Sequence, residues 1–424
     1  MESIEKEAVR KNTLRIVPLL AICYFAAYLD RFNIAYAALT MNKSLGLSGE
    51  MFGFGAGLFF WGYVLFEIPS NMLLHKVGAR LWITRIMVTW GLLACSMALV
   101  HGPWSFYVVR VLLGVGEAGF LPGIIYYLTL WFPAKYRAQM LAFFMLAIPI
   151  TGVVGAPISG LILRYTDGLL GWEAWRWLFF LEGLPSILLG IVFFVRMVDR
   201  PADAKWLSTE EKSWLTERLR LESSLNKSEV KHSTWSIVVM PRVLVLSLVY
   251  FCGVTTVISL TFFLPLIIKQ GFGLPVLPTT LLSMLPYAIG AVSMYVVGKS
   301  SDKHKERRKH LAFTLLMGAL GVIVAALVHS PALELAGLCL GGVGIFSMHP
   351  PFWAFASMLA GEAAAIAIAT INSLGQIGGS LGPTLVGYLH HMTGNYKLAL
   401  LVLASLRILA AVIVLCMKEP AILD

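Results

Sequence analysis

The chain has 424 residues, of which 58% are hydrophobic and only 13% charged, with a mean hydropathy of +0.78. Soluble domains carry about 25% charged residues, so this composition argues against a soluble enzyme and for a chain that crosses a membrane many times. The net charge of +10 does not point to nucleic acid: the basic residues sit at loop edges without a reading motif, as expected of residues that orient a membrane protein against anionic headgroups.

Runs of about 20 nearly uncharged residues each suffice for one bilayer crossing. Twelve are predicted, at 14–38, 51–75, 81–101, 104–131, 138–163, 176–196, 242–268, 274–298, 311–330, 333–359, 363–390 and 397–417. The first is too long, and too interrupted by Arg15 and Asp30-Arg31, to be a cleaved signal peptide. With the amino terminus inside, 25 of the 33 Lys and Arg residues fall on the termini, the even-numbered loops or the span ends that adjoin them. Five fall on or beside odd-numbered loops (Lys43, Arg164, Arg176, Lys269, Lys397) and three deep inside spans (Arg31, Arg110, Arg407). This is the positive-inside pattern and predicts both termini in the cytoplasm, hence a multi-pass protein of the inner membrane. Cys23, Cys95, Cys252, Cys339 and Cys416 all fall inside spans, an odd and widely spaced set that reads as buried free thiols.

Residues 198–240 break the apolar pattern and form a charged linker between two halves, 1–197 and 241–424. Within the linker, Ser208-Thr209-Glu210-Glu211 offers a capping box for a short surface helix through Trp214 and Leu219. The halves echo one another. Gly298-Lys299-Ser300-Ser301-Asp302-Lys303 with Arg307-Arg308 stands where the first half has Asn71 to Arg80, including Gly78. Gly152, Gly155, Pro157 and Gly160 of the fifth span match Gly379, Gly382, Pro383 and Gly387 of the eleventh. Small residues let membrane helices approach closely, and internal repeats of this kind build many secondary transporters.

Several of these segments resemble the major facilitator superfamily: the Gly298 to Arg308 loop, Arg110-x-x-x-Gly114-x-Gly116 and the Gly/Pro run of the fifth span. Tyr28-Leu29-Asp30-Arg31-Phe32-Asn33-Ile34, Phe66-Glu67-Ile68-Pro69-Ser70-Asn71, Val77-Gly78-Ala79-Arg80, Gly116 to Gly123 and Trp131-Phe132-Pro133 resemble the anion:cation symporter family within it. The resemblance implies an all-α integral membrane protein with twelve helices in two pseudo-symmetric six-helix bundles. It also implies import of a small organic anion with protons; bacterial members take tartrate, sugar acids, phthalate or hydroxyphenylacetate.

Charges inside spans are costly and mark pathways. Tyr24, Tyr28 and Arg31 share one helix face, and the guanidinium fork can grip a carboxylate through two parallel hydrogen bonds. Arg31 is therefore a candidate substrate ligand, with its merely pairing with Asp30 as the alternative. Arg110 and Glu117 share a face about 10 Å apart along the helix, too far for a simple ion pair. A carboxyl between a low-dielectric cavity and an arginine suits proton loading and release. By resemblance, Asp30 and Glu117 are proton-coupling residues together with Arg110; the alternative for Asp30 is a structural ion pair, for instance with Arg110. The coupling expected is electrostatic: Arg31 rests near Asp30 or Glu117, and protonation frees it for the substrate.

Resemblance places Tyr63, the Phe352-Trp353 pair and Asn372 near substrate, with plain packing as the alternative for Tyr63 and ordinary interhelical hydrogen bonding as that for Asn372. Asn372 and Gln376 lie one turn apart and could read hydroxyls. His349-Pro350-Pro351 can simply break the tenth span, Glu67 reads as gate structure, and Glu182 as an interhelical contact. Asp302, Lys303, Arg307, Gly78 and Arg80 are the expected gate residues, although His75 stands where the loop signature is usually acidic, which predicts a weaker gate contact. Met145-Leu146-Ala147-Ile148-Pro149 lacks the glutamine that sugar-acid carriers use, favouring a less hydroxylated or partly aromatic acid. Arg407 and Glu362 are unexplained.

No cofactor or metal site is expected, since His residues are scattered and no phosphate-cradling loop occurs; Gly114-x-Gly116-x-x-Gly119 lies inside a span without strand context. The sequence thus predicts a proton-coupled carboxylate importer, a monomer, with a tartrate-like hydroxy acid or an aromatic acid as cargo. An exporter or exchanger, a non-transporting sensor and a channel are the alternatives.

Overall fold

A computed structural model describes residues 2–145, 147–226, 234–360 and 364–417; Leu146, Lys231 and Glu362 lie outside them. Among the described residues the secondary structure is entirely helical, as required of lipid-embedded chain, where a helix satisfies its own backbone polar groups. The first half comprises α1 (Glu2–Ser44), α2 (Gly49–Val77), α3 (Ala79–Ser96), α4 (Pro103–Glu117), α5 (Phe120–Trp131), α6 (Ala134–Met145), α7 (Ala147–Tyr165) and α8 (Ala174–Arg196). The linker holds α9 (Thr209–Asn226) and α10 (Thr234–Val238). The second half comprises α11 (Pro241–Phe272), α12 (Val276–His304), α13 (Arg308–Leu327), α14 (Pro331–Ser347), α15 (His349–Ala360), α16 (Ala364–Thr393) and α17 (Lys397–Cys416).

Among the described residues, eleven crossings are long and apolar enough to span a bilayer by length and composition. The 30-residue α16, whose apolar run is diluted by five glycines, two serines, Asn372 and Gln376, packs against both α2 and α11 and completes the twelve. With twelve crossings, both chain ends and the linker share one face, called here the terminal face.

Two predicted spans are interrupted. The fourth divides into α4 and α5 at Ala118-Gly119, where Gly119 takes a left-handed φ of +88° that side chains disfavour. The freed Ala118 carbonyl accepts a 2.7 Å hydrogen bond from Ser70 Oγ, and the Ser70 hydroxyl leaves no room for a Cβ at Gly119. The tenth divides into α14 and α15 at Met348, next to His349-Pro350-Pro351; the His349 ring stays local, 3.2 Å from the Phe346 carbonyl.

The halves meet most closely on the side away from the terminal face. Gly49, Gly53 and Gly57 form one stripe on α2 that seats directly on α16: a methyl group at Gly53 would strike the Pro383 carbonyl, at Gly57 that of Ser380, and at Gly49 the His390 ring. Close approach of this kind is what small residues at i and i+4 provide. On α7, Gly152 packs against the Tyr287 ring and Gly160 against Thr280 of α12, while Lys269 of α11 donates to the Leu39 carbonyl of α1 at 2.9 Å.

The capping box forms as expected: Ser208 N–H donates to Glu211 at 2.8 Å and Glu211 N–H to Ser208 Oγ at 3.2 Å. The linker helix is nevertheless bolted to the first half. Lys11 pairs with Glu211 at 2.8 Å, Trp206 donates to Asn12 at 2.9 Å and stacks on Trp131 at 5.2 Å, and Arg137 pairs with Glu222 at 3.0 Å. Cys23 and Cys252 are buried and Cys95 and Cys339 partly so, but Cys416 is exposed, contrary to the expectation of five buried thiols; all are free.

Arg407, unexplained by sequence, is fully buried. Its guanidinium donates to the backbone carbonyls of Gly344 at 3.0 Å, Leu315 at 3.3 Å and Thr314 at 3.4 Å. It ties α17 to α13 and α14 rather than snorkelling to the interface.

Candidate functional site

Three of the intramembrane charges, Arg31, Arg110 and Glu117, gather at the seam between the halves. Arg31, in the second half of α1, forms an ion pair with Glu117 of α4, Nη2 to Oε1 at 2.5 Å. Glu117 is the last residue of α4, at the helix break. Arg31 keeps 18% of its side chain exposed and Glu117 only 3%, so the pair presents its cationic side to the seam. The guanidinium sits among aromatic faces, 5.2 Å from the centroids of Tyr28 and Tyr63 and 5.3 Å from Phe59. Cation–π contacts hold a cation in place without neutralising it.

Tyr24, Tyr28 and Arg31 do share a face: the Tyr24 and Tyr28 rings meet edge to face at 4.9 Å, and Tyr24 stacks on Phe144 at 4.0 Å. Arg31 does not pair with Asp30, whose side chain points away from the seam. Asp30 is 3% exposed and accepts from Trp90 Nε1 at 2.7 Å and Ser186 Oγ at 2.8 Å, both on one oxygen. Its other oxygen has no hydrogen-bond partner.

The alternative of an Asp30–Arg110 ion pair is overturned. Arg110, 2% exposed, donates to the Ala56 carbonyl at 2.9 Å and lies over Phe59 at 5.1 Å and Phe262 of the second half at 6.0 Å. It reaches Glu117 and Arg31 only through space, as the seven-residue spacing to Glu117 requires.

The second half faces this cluster with aromatic rings. Tyr250 of α11 stacks on Phe352 at 4.9 Å, meets Trp353 at 4.8 Å, and lies within electrostatic reach of Tyr28 across the seam. Asn372 is half-buried on α16, one turn before Gly375, which abuts the Tyr250 ring. Glu67, 6% exposed, lies beside Ser373 of α16 and within reach of Arg31. The site therefore combines a partly exposed arginine, a carboxylate that already occupies it, and aromatic and amide groups opposite.

Sequence reasoning missed Phe59, Trp90, Ser186 and Tyr250. Phe59 had a signal, one turn before Tyr63. Trp90, Ser186 and Tyr250 had none, being set by contacts between helices.

The expected gate residues occupy the terminal face. Arg307 pairs with Asp302 at 2.5 Å and donates to Ser301 Oγ at 3.0 Å, while Lys303 is exposed. In the first half, Gly78 has a φ of +97° and Arg80 donates from its backbone to Asp199 at 2.7 Å and from Nε to the Phe194 carbonyl at 2.7 Å. His75 packs against Tyr126 at 4.4 Å. Asp199, from the segment after α8, is the acid that reaches this turn, through the Arg80 backbone N–H. Among the described residues no group of three or more His, Cys, Asp or Glu side chains could hold a metal ion.

A twelve-helix bundle with charges at the seam of its halves defines a membrane carrier. The chain belongs to the Major Facilitator Superfamily, whose family model matches residues 20–383, and it is a transporter rather than an enzyme. Its relatives include a protein described as a putative tartrate transporter of Agrobacterium vitis, 43% identical over 419 residues, 99% of this chain and 93% of that one. A quinolone resistance transporter of Acinetobacter baumannii is 39% identical over 92% of this chain and 90% of its own. Among solved structures, a bacterial homologue of the human lysosomal transporter Spinster, inward-facing and occupied, superimposes with a TM-score of 0.78 at 16% identity. That match covers 94% of this chain and 95% of that one and shows the shared fold.

Proposed function

We propose that this transporter is a proton-coupled importer of a small organic carboxylate, with a tartrate-like hydroxy acid as its cargo. The observation that carries the reading is the Arg31–Glu117 pair: a carboxylate of the protein already occupies a partly exposed, aromatic-caged guanidinium at the seam. A proton on Glu117 cancels its charge, and Arg31 then accepts the carboxylate of the substrate. Asp30, behind Arg31 and without a cationic partner, serves as a second proton site, and Arg110 supplies a fixed positive field that draws the proton off Glu117 again.

On this reading Tyr28, Tyr63, Trp353 and Asn372 bind the rest of the acid. The loaded and empty carriers each neutralise Arg31, and either can reorient; a half-loaded one leaves a charge buried and unpaired, which is costly. The tight α2–α16 contact closes the side away from the terminal face. The positive-inside pattern puts the terminal face, with both termini, in the cytoplasm, so this form faces inward across the inner membrane. Asp302, Lys303, Arg307, Gly78 and Arg80 close that face in the opposite form, and the carrier acts as a monomer.

The putative tartrate transporter supports the hydroxy acid over the aromatic acid that Met145-Leu146-Ala147-Ile148-Pro149 suggested. The test is uptake of labelled tartrate into proteoliposomes holding the purified protein, with an imposed inward proton gradient and with none. Accumulation only with the gradient supports symport; equal uptake in both contradicts it.

A further inference from the structure

Behind the seam lies a second group of buried carboxyls that the substrate site does not use. Glu182 of α8 is 2% exposed and accepts a 2.7 Å hydrogen bond from Ser159 of α7 on one oxygen, while its other oxygen has no partner. Ser186, one turn further along α8, is the residue that donates to Asp30, so the two carboxyls occupy adjoining turns of one interface and feel each other's charge. The Asn33 amide, 1% exposed, lies beside Glu182 yet outside hydrogen-bond geometry at both its nitrogen and oxygen. The Tyr36 hydroxyl, also 1% exposed and unpartnered, is within electrostatic reach of Glu182.

Unpartnered buried polar atoms are rare in folded proteins, and here they cluster. They also have a direction. Asn33 and Tyr36 follow Asp30 along α1 by one and nearly two turns, about 9 Å of rise in all, and Glu182 precedes Ser186 on the antiparallel α8. The line therefore runs from Asp30 toward the side of the membrane away from the terminal face.

The titratable groups packed around Glu182 are Asp30 and Tyr36 from α1 and Cys95, whose backbone and sulfur abut Gly183, from α3; α7 contributes only the Ser159 hydroxyl. No arginine, lysine or histidine pairs with Glu182 among the described residues. Two carboxyls within reach of each other and without a cation cannot both hold a negative charge cheaply.

We propose that Glu182 is a proton-binding residue that feeds Asp30 by a route separate from the substrate path, between α1 and α8. A proton taken up from the side away from the terminal face forms an O–H bond on Glu182. That bond breaks as one forms on Asp30, and the negative charge returns to Glu182, which can load again. Asp30 also feels Glu117, so the charge state behind the seam bears on the Arg31–Glu117 pair. The inference deepens the proton-coupled reading above and rests on it.

The test compares wild type with Glu182→Gln in proteoliposomes, using tartrate as the probe and two readouts. Counterflow of internal for external tartrate needs no net proton movement; acidification of the lumen on tartrate entry, followed by an internal pH dye, does. Glu182→Gln is expected to keep counterflow while its acidification rate falls roughly a hundredfold, the lower end of what a positioned proton donor contributes. Its uptake profile should shift toward acid pH, and Glu182→Asp should restore part of the rate.

An unchanged acidification rate in Glu182→Gln overturns the relay and leaves symport standing. Loss of counterflow together with acidification in a folded Glu182→Gln marks a structural residue and overturns it too. Counterflow without acidification in wild type refutes symport, and the relay with it. If Glu182→Gln does not fold, Tyr36→Phe, which deletes only the outermost hydroxyl of the line, must slow acidification and spare counterflow, or the proposal fails.

Discussion

Arg31 and Glu117 belong to different helices and close the distance between them at 2.5 Å, at the one point where the fourth crossing is broken. The break matters to the pair. It ends α4 at Glu117, and the left-handed Gly119 turns the chain away before α5 begins. The break leaves the Glu117 carboxyl on the last turn of α4, beside Arg31. Discontinuous helices that place binding groups near the bilayer midplane are a recurring device of transporters.

Replacement of Arg31 by lysine keeps the positive charge and removes the planar fork. The lysine is expected to fold and to pair with Glu117, but to bind the substrate carboxylate about 10- to 100-fold more weakly, as one charge-assisted hydrogen bond is worth roughly 1.5–3 kcal/mol. Calorimetric titration of tartrate into wild type and Arg31→Lys measures this; equal affinity would remove Arg31 from the substrate site.

At Gly53 the opposing surface is the Pro383 carbonyl, which cannot move without moving α16. Gly53→Val should hold α2 and α16 apart and populate the form open on the side away from the terminal face. Spin labels placed at the loop ends of α2 and α16 on that side should report a longer distance in Gly53→Val, and transport should be lost while the protein remains folded. An unchanged distance would show that this stripe does not set the closure.

The loop before α13 responds to pH through Glu306. Burial alone raises its carboxyl, but the Lys309 N–H, the His310 ring and the His310 N–H together outweigh burial and hold it below its ordinary 4.5. A lowered folded-state value stabilises above the ordinary value and is lost as pH falls through the folded one. Protection of Lys309 and His310 against hydrogen exchange, taken relative to the intrinsic rate at each pH, should therefore be high at neutral pH and fall below about pH 4.5, and should be low at both in Glu306→Gln.

Arg407 holds three backbone carbonyls in the second half, remote from the seam. Arg407→Ala should open a cavity between α13, α14 and α17 and lower the unfolding temperature, with tartrate affinity unchanged. A change in affinity without a change in stability would place Arg407 in the transport machinery instead.

Much of this was legible in the sequence because charges in apolar runs are conspicuous. Arg31, Asp30, Arg110 and Glu117 announced themselves, and the Tyr24, Tyr28, Arg31 spacing correctly put three side chains on one face. What a helix face cannot tell is its partner. The spacing of Arg110 and Glu117 drew attention to one helix, while the partner of Glu117 sits on another and Arg110 settles on a carbonyl. Trp90 and Ser186, which hold Asp30, lie 60 and 156 residues away from it in unremarkable apolar runs. The same holds at the turn after α2: Asp199, remote in sequence, reaches Gly78 and Arg80.

The measurement that bears most directly on the carboxylate competition at Arg31 is luminal acidification on adding tartrate to proteoliposomes of wild type and Glu117→Gln, with counterflow measured on the same vesicles. Wild type should acidify; Glu117→Gln should exchange tartrate but neither acidify nor accumulate it against a gradient. Acidification by Glu117→Gln at the wild-type rate would contradict the account, because the proton would then have no need of the carboxylate that occupies Arg31.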